Sequence, residues 1–203
     1  MSIEELIGKT KIGYQLIFDL DNTIYQETDF LFKAYDHIAR NLFPHHYVEV
    51  LEYMVEEFNR SGRQNLFNKV LERFPSELGS IAKMLTYLRQ YSSDECLVVY
   101  PWFEMFLKRV HADFEVKIIT NGNPVQQKNK IASLGLHSKI KFLDVVYANE
   151  TAPKPSRLSA IKFIDFDGPT IYVGDSIIDM EFARKCQFEF LDVSALISPA
   201  NMG

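Results

Sequence analysis

An α/β fold is what the sequence predicts: a doubly wound parallel sheet with an all-helical insertion behind its first strand. Three observations carry that expectation. Short β-rich apolar runs stop abruptly at polar or turn residues, at Asp19, at Thr120-Asn121-Gly122 and at Gly174-Asp175-Ser176. Segments of helical periodicity alternate with such runs from Pro101 onward. One long stretch, residues 25–99, carries helical stripes and no convincing strand.

Taken in order, Leu16-Ile17-Phe18 is the first strand, of strand length and bounded by Asp19. In the insertion, Phe30, Leu31, Ala34, Tyr35, Ile38, Ala39 and Leu42 share one helical face, with Asp29 placed to cap it. Val48, Leu51, Met54, Val55 and Phe58 make a second stripe, ended by Ser61-Gly62. Leu66, Phe67, Val70, Leu71 and Phe74 make a third, stopped at Pro75. Leu78, Ile81, Ala82, Leu85 and Leu88 make a fourth. Pro101 then opens a helix with Trp102, Phe103, Phe106, Leu107 and Val110 on one face. Val116 to Ile119 is the second strong strand, residues 124–134 are a crossover helix, and Leu143 to Val146 is a weaker strand. Ile171-Tyr172-Val173, a helix over 177–185 and a weak strand from Phe188 to Val193 complete the alternation. The sheet is therefore expected from residues 1–24 and 100–203, and the helical insertion from 25–99.

Composition narrows the class. A chain of 203 residues has room for one domain with a modest insertion. With 22 Lys and Arg against 27 Asp and Glu, the net charge of −5 is a poor footprint for nucleic acid or an anionic membrane. Two cysteines build no disulfide framework and suit a reducing compartment. The first residues lack the apolar core of a signal peptide, and no run reaches the ~20 apolar residues of a membrane span. A soluble, cytoplasmic protein is expected. The 16 Phe and 10 Tyr, with Trp102, read as an aromatic core.

Ligands of doubly wound sheets bind outside the carboxyl ends of the strands, and four polar clusters lie where such ends are expected. Asp19-Leu20-Asp21-Asn22-Thr23 follows the first strand; residues two apart in extended chain face the same way, so both carboxylates can address one pocket. One can then attack phosphorus while the other moves a proton, although an Asx turn leading into a helix uses the same residues. Thr120-Asn121-Gly122 offers a hydroxyl and backbone N–H groups to phosphate oxygens, or simply a capped turn. Lys154 in Lys154-Pro155 is an ordinary solvated lysine unless it faces the aspartates, where it becomes their cation. Gly174-Asp175-Ser176-Ile177-Ile178-Asp179 holds an oxygen ligand suited to Mg²⁺, or an N-cap.

Together, Asp-x-Asp-x-Thr, a Thr after a strand, Lys-Pro and Gly-Asp-Ser-x-x-Asp resemble the haloacid dehalogenase superfamily, in its Asp-x-Asp-x-Thr phosphatase branch. The resemblance runs from about Tyr14 to Val193, and residues 25–99 look like the family's helical cap. It implies that Asp19 is the nucleophile forming an aspartyl-phosphate and Asp21 the general acid and base. It implies that Thr120 and Asn121 hold the phosphoryl group and that Lys154 orders Asp19 and the phosphate. Mg²⁺ would sit on the carboxylates of Asp19 and Asp175 and the backbone carbonyl of Asp21, with Asp179 as an auxiliary ligand. Asp21 also speaks against dehalogenation, because halide leaves without a proton.

The function expected is hydrolysis of a small-molecule phosphomonoester. A phosphosugar mutase of the same fold and a receiver-like phosphoacceptor module are the alternatives, and the Asp-x-Asp pair and the late Gly-Asp-Ser-x-x-Asp argue against the receiver. Where the family often has Ala-Gly, this chain has Cys186-Gln187. A left-handed C-cap at Gln187 would cost ~1 kcal/mol relative to glycine, and Cys186 reads as a small buried hydrophobe. His45-His46 lacks a third ligand nearby and reads as solvated. Residues from Tyr25 to Phe32 are the expected substrate contacts of the cap.

Overall fold

The computed structural model describes residues 1–76, 78–93 and 96–197. It begins with a helix that apolar runs alone do not announce. α1 (Ile3–Lys11) opens on a capping box: Ser2 Oγ accepts from the Glu5 N–H, and the Ser2 N–H donates to the Glu5 carboxylate at 2.7 Å. β1 (Gln15–Phe18) follows, buried at every position. The insertion comprises α2 (Glu27–Leu42), α3 (Tyr47–Ser61), α4 (Leu66–Arg73) and α5 (Ile81–Gln90). The alternation then runs through α6 (Pro101–Arg109), β2 (Val116–Thr120), α7 (Pro124–Ser133), α8 (Leu136–Lys139) and β3 (Leu143–Tyr147). It ends with β4 (Thr170–Gly174), α9 (Ile177–Cys186), β5 (Glu189–Asp192) and α10 (Ser194–Ile197).

The five strands lie in the order β3-β2-β1-β4-β5, and every neighbouring pair is parallel. The chain winds outward from β1 through β2 and β3, then crosses to the other side of β1 for β4 and β5. That reversal puts the topological switch point beside β1. Phe18 is level with Ile118 of β2 and Val173 of β4, so the polar clusters after these strands emerge at one edge. Alternation along β1 sends Phe18 and Ile17 to opposite faces. Phe18 meets Trp102, Phe103 and Phe106 of α6 at ring-centroid distances of 5.6–6.2 Å. Ile17 joins Ile119, Tyr172, Phe182 and Cys186 on the other face. The aromatic residues form core here, as the composition suggests.

The chain divides into two compact units, Met1–Glu27 with Cys96–Gly203, and Thr28–Glu95. The division falls later than residue 24 and earlier than residue 100 because Tyr25 bridges to both Asp21 and Val99. Among the described residues the second unit is helical with no strand. Its helices bury Leu31, Tyr35, Ile38, Val50, Met54, Phe67, Val70 and Met84 against one another. Two local expectations fail there. α2 starts at Glu27, so Asp29 lies inside its first turn and caps nothing. Leu78 stands outside α5, 50% exposed, because Ser80 takes the N-cap and accepts from the Lys83 N–H. His45 and His46 are exposed before α3. No helix among the described residues is long and apolar enough to cross a membrane.

α9 ends at Gln187 in the left-handed region, φ 63° and ψ 31°. Gln187→Gly is therefore expected to stabilise the protein by about 1 kcal/mol, read as a higher urea midpoint at unchanged slope. An unchanged midpoint would mean that contacts of the Gln187 side chain offset the backbone strain. Cys186 is buried beside it, and burial pushes its thiol up to about 11, a structural cysteine and not a reactive one.

Candidate active site

The ladder of β1 continues one residue past its last strand residue, where the Asp19 N–H donates to the Val173 carbonyl at 2.8 Å. Leu20 turns into the core, which leaves Asp19 and Asp21 on the other side of the chain. Asn22 then adopts φ 57°, which asparagine tolerates, and its side-chain oxygen accepts from the Glu27 N–H at 3.1 Å. That bond closes the turn into α2.

Lys154 comes from the loop after β3 and is almost fully buried. Its Nζ donates to Asp19 Oδ1 at 2.5 Å, to Asp179 Oδ1 at 2.6 Å and to the Tyr172 hydroxyl at 2.8 Å. The lysine is thus the cation between two aspartates and not a solvated side chain. Its backbone is gripped in both directions by Asn121: the Lys154 N–H donates to Oδ1 at 2.8 Å, and Nδ2 donates to the Lys154 carbonyl at 3.2 Å. Asn121, expected to help hold the phosphoryl group, here uses its side-chain amide to hold the lysine loop. Thr120 ends β2, buried, with its hydroxyl donating to the Asn121 carbonyl at 3.3 Å. The Gly122 N–H donates to Asn149 Oδ1 at 2.9 Å. Gly122 has φ +118°, and a Cβ there would fall 2.5 Å from Gln127 Nε2.

After β4, Ser176 caps α9 in a second capping box. Its hydroxyl accepts from the Asp179 N–H, and Asp179 Oδ2 accepts from the Ser176 N–H at 3.2 Å and hydroxyl at 2.6 Å. Asp179 fits over β4 only because residue 174 is glycine: a Cβ there would lie 2.6 Å from the Asp179 Cβ. Both Asp179 oxygens are thereby engaged, one by Ser176 and the other by Lys154 and Tyr172. Asp179 braces the site more than it offers an open ligand.

Carboxylate oxygens of Asp19, Asp175 and Asp179 lie within 4.8 Å of one another. Burial, and then the charges of Asp179 and Asp21, push Asp19 up to about 7 against the opposing pull of Lys154. Asp175 is raised by its burial and by Asp179. Burial pulls Lys154 down, yet Asp19 and Asp179 outweigh it and its pKa is raised. Three carboxylates around one lysine leave negative charge uncompensated, and all the donors are hard oxygens. The residues therefore fit a divalent cation such as Mg²⁺.

The Asp21 carboxylate has a different cation. Lys130 of α7, buried, donates to both of its oxygens at 2.8 Å and to Glu27 Oε1 at 2.9 Å. The Tyr25 hydroxyl donates to Asp21 Oδ1 at 2.7 Å, and Gln127 Nε2 donates to Oδ2 at 3.1 Å. Burial raises Asp21, but Lys130, Tyr25 and Gln127 together bring it below its ordinary value. The sequence places both aspartates toward one pocket; the fold gives each its own lysine. Tyr25 and Glu27, expected to touch substrate, are buried on this network instead, and Phe30 and Leu31 are buried as well. Lys130, Gln127, Tyr172 and Asn149 escape sequence reasoning. The single local hint is Gln127 and Lys130 three apart on the helix after Thr120.

A family model described as haloacid dehalogenase-like hydrolase matches residues 16–193. A search among curated proteins found no match. Similar solved structures include a magnesium-bound protein from Bacillus subtilis described as a HAD-hydrolase, at 18% identity over 87% of this chain and 86% of that one, with a TM-score of 0.55. A HAD-superfamily hydrolase from Geobacter sulfurreducens is 17% identical over 88% and 86% of the two chains, with a TM-score of 0.56. A protein from Lactobacillus plantarum described as a phosphoglycolate phosphatase is 13% identical over 92% and 89%, with a TM-score of 0.52. At these identities the likeness is one of fold.

Proposed function

This chain belongs to the haloacid dehalogenase-like hydrolases, and from that premise we propose that it is a Mg²⁺-dependent phosphatase acting on a small-molecule phosphomonoester. The observation that carries the reading is the pair of aspartates with separate partners: Asp19 on Lys154 beside a cation-ready cluster, Asp21 on a hydrogen-bonded scaffold two residues away. A dehalogenase has no use for the second carboxylate, because halide departs unprotonated; an alkoxide needs a proton.

In this reading an Asp19 oxygen attacks phosphorus as the ester P–O bond breaks, and the proton needed by the departing alkoxide is brought by the phosphomonoester monoanion and passed on by Asp21, giving an aspartyl-phosphate and an alcohol. Asp21, now a base, takes a proton from water, whose oxygen attacks the same phosphorus and frees phosphate from Asp19. Lys154 neutralises Asp19 and an equatorial phosphoryl oxygen, and the Thr120 hydroxyl turns to another. The carboxylates of Asp19 and Asp175 and the Asp21 carbonyl would hold Mg²⁺, which when bound offsets the repulsion between nucleophile and substrate. Asp179 stands behind them. The helical unit 28–95 corresponds in this reading to the family's inserted cap, in a protein working in the cytoplasm.

A panel of phosphorylated metabolites and aryl phosphates, assayed for phosphate release with Mg²⁺, tests the reading. Release from at least one ester, lost in excess EDTA and restored by Mg²⁺ or Mn²⁺, is expected. Full activity after exhaustive chelation overturns it. Release that depends on an added sugar bisphosphate would identify a mutase instead.

A further inference from the structure

Lys130 has no part in the chemistry above, yet it is 1% exposed and makes two of its hydrogen bonds to one carboxylate. A lysine that deep in a protein is costly unless its ammonium is fully paired. Here the ammonium is paired with carboxylates: it donates to Asp21 Oδ1 and Oδ2 at 2.8 Å and to Glu27 Oε1 at 2.9 Å. Tyr25 and Gln127 bond the same two Asp21 oxygens from other directions. Gln127 is itself tied to the Asn121 carbonyl at 2.6 Å, one residue past Thr120. The Asp21 plane is therefore set by donors from α7 and from the turn after β1. Glu27, in the first turn of α2, fixes the third direction of the ammonium and so the place from which Lys130 reaches Asp21.

We propose that Lys130, braced by Glu27, is a positioning residue for Asp21: it holds both carboxylate oxygens so that the proton passes to and from the leaving group in one fixed direction. The proposal rests on the phosphatase reading for its consequence in turnover. Its geometric content, that Lys130 orders the Asp21 carboxylate, stands apart from that reading.

The test is Lys130→Met, which keeps the length of the side chain and removes the ammonium. Kinetics are compared for an alkyl phosphate and for nitrophenyl phosphate, in the wild type, Lys130→Met, Asp21→Asn and the double variant. A misplaced acid–base group costs roughly 10²-fold, so that loss in kcat is expected on the alkyl phosphate, with KM little changed. A smaller loss is expected on nitrophenyl phosphate, whose leaving group needs less protonation. The double variant should be no slower than Asp21→Asn alone, since an absent carboxyl cannot be misplaced. An equal loss on both substrates, a loss that adds to that of Asp21→Asn, or wild-type kinetics overturns the proposal. Where Lys130→Met alone does not fold, Lys130→Met/Glu27→Gln replaces it, because it also removes the buried Glu27 charge that faced the ammonium. A second measurement is independent of turnover: the ¹³C carboxyl signal of Asp21, assigned by its disappearance in Asp21→Asn. A shifted or broadened signal in Lys130→Met supports the positioning role even if the wild type releases no phosphate, an outcome that would sink the phosphatase reading alone. An unmoved signal overturns the proposal whatever the activity.

Discussion

Asp19→Asn is expected to abolish phosphate release, a loss on the order of 10⁴-fold or more on every substrate. The amide is a poor nucleophile, and the charged oxygen that faces the candidate cation is lost with it. The fold should survive the change. Lys154 keeps Asp179 at 2.6 Å and the Tyr172 hydroxyl at 2.8 Å, and the variant loses a carboxylate that burial already pushes up to about 7. A thermal midpoint at or above that of the wild type, together with no turnover, is the expected pair of results. Asp21→Asn should behave differently: a loss of roughly 10²–10⁴-fold on alkyl phosphates, smaller on nitrophenyl phosphate. The second half-reaction still lacks its base there, so a phosphoryl adduct on Asp19 is expected by intact-protein mass spectrometry at low pH. Near-normal turnover in Asp19→Asn would remove the support for an aspartyl-phosphate. So would identical behaviour of the two variants across all leaving groups with no adduct in either.

Lys154→Met carries the second large effect, and it divides between chemistry and stability. The variant removes the ammonium from between Asp19 and Asp179, leaving buried carboxylates that repel one another. Breaking a buried pair from one side costs about 3–5 kcal/mol, and loss of one charge-stabilising donor costs roughly 10²–10³-fold in kcat. The sign of the pH dependence follows. With Lys154 gone, Asp19 rises further above its unfolded value, so the native state binds more protons than the unfolded chain between the two pKa values. Stability then falls as pH increases through that interval, and the deficit is fully present above the folded-state pKa. Urea midpoints of Lys154→Met should approach those of the wild type at low pH and diverge toward neutrality, and Mg²⁺ should close part of the gap. Equal midpoints across pH, with wild-type turnover, would show that Lys154 neither holds the site together nor serves its charge.

Much of the fold is legible in the sequence because the information is local. Leu16-Ile17-Phe18, Val116, Ile118, Ile119 and Ile171-Tyr172-Val173 are buried in the structure, as short apolar runs bounded by turn residues should be. Pro101 stands at the start of its helix, and Gln187 takes the left-handed cap at a stated cost. The failures are local as well. α1 shows no long apolar run, and its capping box had to be read from Ser2 and Glu5 alone. Ser80 outcompetes the continuity of the apolar stripe at Leu78, because a side-chain oxygen on free N–H groups starts a helix more firmly than one more leucine.

The candidate site divides along the same line. The residues at the strand ends, Asp19, Asp21, Thr120, Asp175 and Asp179, are chemical identities placed by backbone pattern, and the sequence by itself determined them and the edge of the sheet where they emerge. Which cation serves which carboxylate was decided only by tertiary structure. Lys154 reaches Asp19 across a sequence separation of 135 residues, and Lys130 reaches Asp21 across 109. Nothing periodic connects positions so far apart. The strand order around β1 brings the loop after β3 to Asp19 and the face of α7 to Asp21. Once the chain has closed, water is excluded and a buried ammonium persists only where carboxylates and other acceptors meet its hydrogens, as Asp19, Asp179 and the Tyr172 hydroxyl do for Lys154. Asn121 makes the same point: its side-chain amide grips the backbone of Lys154, 33 residues further on, a pairing that nothing local announces.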